Sequence, residues 1–137
     1  MKKPVRHAAA AAIVCALGSG ILSVEAHHST TMFDHSKSVT ITGTVVELRW
    51  TNPHVSLTVN GVDAPVEWLL EMTSPGNLVR AGGWSRNVVK PGDRVVVDFS
   101  PLRDSSRKGG ALKKLTVVET GQVYTANIRA QEQPGLG

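Results

Sequence analysis

Cysteine is almost absent from this 137-residue chain: Cys15 stands alone, inside an apolar stretch near the start. A single cysteine excludes an internal disulfide framework and a cysteine-rich metal centre. Aromatic residues are few, three Trp, two Phe and one Tyr, so only a handful of positions can offer a stacking face. No apolar run reaches the roughly 20 residues that a spanning helix needs. Also missing are a Gly-rich phosphate loop, a Gly-x-Ser-x-Gly elbow and a His-Glu-x-x-His pair. Glu67 and Glu71 are two carboxylates on one strand face, which reads as a solvated surface rather than an acid–base pair. No enzyme activity is expected.

What is present begins with a processing signal. Lys2, Lys3 and Arg6 precede an apolar run over residues 8–22, broken by Gly18, Ser19 and Gly20, and Val24-Glu25-Ala26 follows. This predicts a secretory signal over residues 1–26, a periplasmic or secreted product, and no integral membrane segment after processing. Three cations and one acid leave with the signal, so the net charge falls from +4 to +2 over the remaining 111 residues. Cys15 leaves as well. An exported domain of such mild charge is not expected to bind nucleic acid.

Beyond the signal the pattern is mostly β. Residues 27–38 are polar and without periodicity, which predicts an N-terminal arm anchored by Met32 and Phe33. Residues 39–50 form a long strand whose alternation changes phase once, and Gly43 marks the expected bulge or bend. Pro53 then forces a corner. Val55, Leu57 and Val59 alternate with polar residues in strand two, and Asn60-Gly61 is expected to turn the chain. Strand three, 66–72, puts Val66, Trp68, Leu70 and Met72 on one face.

Ser74-Pro75 reads as a helix N-cap and first position, with Gly82-Gly83 as the stop. Strand four carries Val95, Val97 and Phe99, the loop 101–110 is polar and Gly-rich, and strand five covers about 111–118. The order predicts a small five-stranded OB-like barrel over residues 39–125, with one short helix between strands three and four and a flexible tail over 126–137. A two-sheet sandwich is the competing architecture. A long first strand bent at a glycine favours the barrel, because it can pair with both halves of the sheet.

Two sets of residues carry possible chemistry. Cutting after Ala26 would give His27 a free amine beside its imidazole, with His28 next. Such an all-nitrogen set suits Cu(II). His54 at the proline corner, or His35, would complete a copper site, with Met32 as a soft alternate. The rival set is a metal-free one in which Arg49, Trp50, Asn52 and Trp84 line an open face of the barrel, together with the loop 101–110. OB-type domains bind sugars or nucleic acid there. Trp50 and Trp68 fall on the apolar phase of their strands and read as core. Arg103, Arg107, Lys108, Lys113 and Lys114 read as a solvated loop face.

Ala26-His27-His28-Ser29, Met32-Phe33-Asp34, Thr42-Gly43-Thr44-Val45, Trp50-Thr51-Asn52-Pro53-His54, Ser74-Pro75, Gly83-Trp84, Lys90-Pro91-Gly92-Asp93 and Pro101-Leu102-Arg103-Asp104 occur together in this chain. In that combination the mature chain resembles an uncharacterised family of secreted bacterial proteins, catalogued as a domain of unknown function. The resemblance implies an exported bacterial domain and assigns no activity or site residue. The expected function is therefore binding, of a metal ion or a small ligand, with any protein partner unspecified.

Overall fold

β-Branched residues at every second position lay down strands whose inner faces must meet, and in the computed structural model of this chain they meet by closing a barrel. The structure describes residues 32–126. Six strands and one helix follow in order: β1 Val39–Arg49, β2 Ser56–Gly61, β3 Glu67–Glu71, α1 Pro75–Gly82, β4 Arg94–Pro101, β5 Gly109–Val117 and β6 Val123–Thr125. Five of them, β1 to β5, make the expected closed barrel, with the short helix between β3 and β4 as expected. The sheet runs β3-β2-β1-β4-β5-β6, and a parallel pairing of β3 with β5, Leu69 opposite Gly109, closes it.

β1 makes closure possible by serving two partners. Its first half, from Val39 to Thr44, pairs with β4, and its second half, from Gly43 to Arg49, pairs with β2. Gly43 and Thr44 belong to both ladders. A Cβ on Gly43 would stand 2.3 Å from Val59 Cγ1 and 2.6 Å from the Asn60 carbonyl oxygen, so the close crossing requires glycine. The bulge itself falls elsewhere than expected. Register is lost between Val45 and Glu47, which leaves Val45 buried and Val46 exposed, and returns Leu48 to the inner face.

Two further boundaries differ from expectation. Asn60-Gly61 does not turn the chain: both residues stay in β2, opposite Thr44 and Gly43, because the crossing continues the ladder to its last residue. Residues 62–65 make the turn, and Val66 N–H donates to the Ala64 carbonyl at 2.7 Å. At the other hairpin, Pro101 pairs with Gly110, so the loop between β4 and β5 shrinks to residues 102–108. β6 was not anticipated as a strand. It adds to the half of β5 that β3 leaves open, through pairs from Lys114 to Thr116.

Val55, Leu57, Val59, Leu70, Val95, Val97, Phe99 and Leu115 are fully enclosed in one core, and α1 adds Leu78 to it. Each such side chain contributes about 1.5–3 kcal/mol by leaving water. The helix starts and stops as its sequence dictates. Ser74 Oγ accepts from the Asn77 N–H, and Gly83 closes the C-terminus at φ 65° with its N–H on the Leu78 carbonyl. Among the described residues no helix is long and apolar enough to cross a membrane.

On the outer face Asp98 joins Thr40 and Lys114, whose ammonium stands 2.9 Å from the carboxylate. Burial alone would raise the Asp98 pKa, but the Thr40 hydroxyl and Lys114 outweigh it and hold the carboxyl below its ordinary 3.8. The folded state then binds fewer protons than the unfolded chain around that pH. Its contribution is complete above about pH 4 and disappears as the pH falls through the depressed folded value. Asp98→Asn should therefore flatten the acid side of the stability profile, read as urea midpoints at neutral pH and near pH 3. An unchanged acid slope would show that the pair does not contribute.

Candidate functional site: a basic cleft over Trp68

The histidines come first, because the copper expectation depends on their meeting. His27 and His28 lie outside the described residues. His54 is exposed in the loop 50–55, next to a cis Asn52–Pro53 peptide. That loop follows the last residue of β1, and Val55 is tied beyond it to Thr73. His35 sits before the first residue of β1, half-buried, its ring edge-on to Phe33 at 6.1 Å. The two imidazoles thus flank opposite ends of an eleven-residue strand and do not share a site. Met32 lies on the His35 side. Among the described residues no group of three or more His, Cys, Asp or Glu is placed to hold a metal ion.

The arm is not loose where it is described. Phe33 is buried against Ala111 and Leu102 in a small second core. Asp34 N–H donates to the Pro101 carbonyl, and Arg103 N–H to the Met32 carbonyl, both at 2.8 Å. Docked at Phe33, the six residues back to His27 can reach about 20 Å, half the span available to an arm free up to Val39.

The expected ligand-binding set divides as well. Arg49 is exposed and paired with Glu47 at 3.4 Å, Trp50 packs half-buried against the core, and Asn52 is exposed in the proline loop. Trp84 belongs elsewhere. It is 2 % exposed, its indole N–H donates to the Thr125 carbonyl at 2.8 Å, and its ring is tilted on Tyr124. Trp84 is therefore a structural core residue in this conformation, held by the strand β6 that the sequence did not disclose.

What the fold does assemble is a cleft of about 350 Å³ between the docked arm and the loop 102–108. Such a volume lies at the lower end of the range for small-molecule sites. Trp68 lies in its lining, half-buried, tilted against Phe99 at 5.3 Å. Lys108 Nζ stands 5.4 Å over the centre of the Trp68 rings, within cation–π range. Lys37 enters from the arm, and Arg103 and Arg107 from the loop, against a single lining carboxylate, Asp34.

Both acids near the cleft are held ionised. Asp34 has its pKa lowered by the Ser36 hydroxyl, which donates at 2.5 Å, and then by Lys37 at 3.3 Å. Asp104 is lowered by the Ser106 hydroxyl and backbone N–H, with Arg107 adding to it. The 102–108 loop spends its carboxylate on its own turn and turns its cations outward along the cleft. The result is a positively charged slot with one aromatic face and one carboxylate, chemistry that suits an anion carrying an apolar or ring face.

Sequence reasoning named the loop 101–110 in its metal-free alternative but missed the cleft itself, for a physical reason. The loop cations read as solvated because nothing in their spacing shows that Phe33 and Leu102 would pair and bring the arm across to make a second wall. A model of a family of unknown function, DUF6152, matches residues 14–111. No curated protein and no solved structure matches the chain.

Proposed function

The chain belongs to the DUF6152 family of unknown function, and from that premise we propose that it is an exported, non-catalytic binding domain of the bacterial cell envelope that captures an anionic ligand. The observation that supports this reading is the cleft in which Lys37, Arg103, Arg107 and Lys108 gather around Trp68. The basic start followed by an apolar run supports export, and the resemblance to secreted bacterial proteins supports the envelope. Copper capture by His27, His28 and His54 is the alternative reading, one to which His35, at the far end of β1 from His54, adds no ligand.

The test is a titration followed by tryptophan fluorescence, with polyuronate and polyphosphate as probes at low and raised salt. A response that weakens as salt rises, and that Lys108→Ala reduces on the order of tenfold, is expected. Suppose instead that neither anion registers, while Cu(II) binds under a competing chelator and the His27→Ala, His54→Ala double variant loses it. Metal capture would then replace this reading.

A further inference from the structure

Resting on that reading, we propose that the ligand is an acidic carbohydrate, a glycan whose rings carry carboxylates, and that Asp34 is the residue that distinguishes it from other anions. A site for a bare anion such as phosphate has no use for a carboxylate in its wall, since like charge opposes binding. Here the carboxylate is built in. Asp34 lines the cleft with 16 % of its side chain exposed. It is fixed there by its backbone bond to Pro101 and by two donors from Ser36 to Oδ1.

Those bonds use one oxygen. The other, Oδ2, faces Lys37 at 3.3 Å, a long pair with a solvated lysine that leaves acceptor capacity on the carboxylate. A sugar meets all three surfaces of the slot at once. Its hydroxyls donate to Asp34 Oδ2, its apolar ring face lies against the Trp68 indole, and its carboxylate pairs with Arg107 or Lys108. Lys108 now covers the Trp68 rings, so binding transfers its ammonium from the indole to the ligand carboxylate. The exposed position of Lys108 makes that movement cheap. A nucleic acid strand would use the indole and the cations, but Asp34 would repel its phosphates.

Asp34→Asn is the discriminating variant. The amide keeps Oδ1 for Ser36, so the turn of the arm survives, while the charge and the second acceptor oxygen are lost. The purified protein is titrated with trigalacturonic acid, the same trisaccharide with its carboxyls reduced to alcohols, inorganic phosphate and oligothymidylate.

The expected pattern is that trigalacturonic acid binds at least about tenfold more tightly than its reduced form and than phosphate. Asp34→Asn should weaken it by about five- to tenfold while tightening phosphate. If oligothymidylate or phosphate binds as well as trigalacturonic acid, and Asp34→Asn tightens every anion, the carbohydrate assignment is overturned and the anion cleft stands. If no probe binds, or if Arg107→Ala and Lys108→Ala leave every affinity unchanged, both fall together.

Discussion

Phe99→Ala is expected to cost about 3–5 kcal/mol, among the largest single losses in this domain, and to loosen the cleft as it does so. Phe99 is fully enclosed, in β4 just beyond the register shift between Asp98 and Phe99, and its ring supports Trp68 from the core side. Truncation removes the burial of a large aromatic, leaves a cavity the closed sheet cannot collapse, and forfeits an aromatic contact of about 0.5–1.5 kcal/mol. Against a total of about 5–15 kcal/mol for a domain of this kind, that places the variant near the folding threshold. Phe99→Leu keeps most of the volume and should lose no more than about 1.5 kcal/mol. Urea unfolding followed by circular dichroism measures both. A Phe99→Ala loss under about 1 kcal/mol would mean that the ring is not in the core.

The second large effect concerns binding and leaves stability alone. Arg107 and Lys108 are exposed loop residues, so reversing both to Glu should move the urea midpoint little, by about 0.5 kcal/mol or less each. Hydrogen bonds to charged groups are worth about 1.5–3 kcal/mol. Removing two and substituting repulsion should lower affinity for trigalacturonic acid by about a hundredfold or more. The salt dependence should shrink in parallel, because fewer counter-charges are exchanged on binding. Affinity that survives the double reversal would place the ligand outside the cleft. The loop 50–55, with Arg49, Trp50 and Asn52, would then be the next surface to test.

The comparison of reading with structure is clearest at particular residues. Ser74-Pro75 and Gly82-Gly83 fixed α1 because capping is local chemistry: a hydroxyl that accepts an N–H three residues on, and a left-handed residue that ends the helix. The alternation of Val55, Leu57 and Val59, and of Val95, Val97 and Phe99, fixed the inner faces of β2 and β4, since period two is a property of any strand. Asn60-Gly61 misled because its turn preference is weak beside a ladder that pairs both residues with β1. Gly43 was rightly singled out as the place where β1 passes from one half of the sheet to the other, although the bulge is not there. It permits the close crossing of two ladders, and the bulge lies at Val46.

Trp84 shows the limit more sharply. Its burial depends on Thr125 and Tyr124, forty residues further on, in a three-residue strand too short to carry a pattern of its own.

The amino-acid order determined the barrel, its helix, its inner faces and the processed-looking start, because alternation, caps and punctuating residues act within a few positions of one another. Which charged and aromatic side chains would stand together was decided only by closure of the sheet. Docking Phe33 beside Leu102 carries the arm across the end of β4 and makes one slot of Asp34, Trp68 and the 102–108 loop. It leaves His35 and His54 apart. Side chains far apart along the chain meet through pairings whose energy is spread over many residues, and no short stretch of sequence displays that sum.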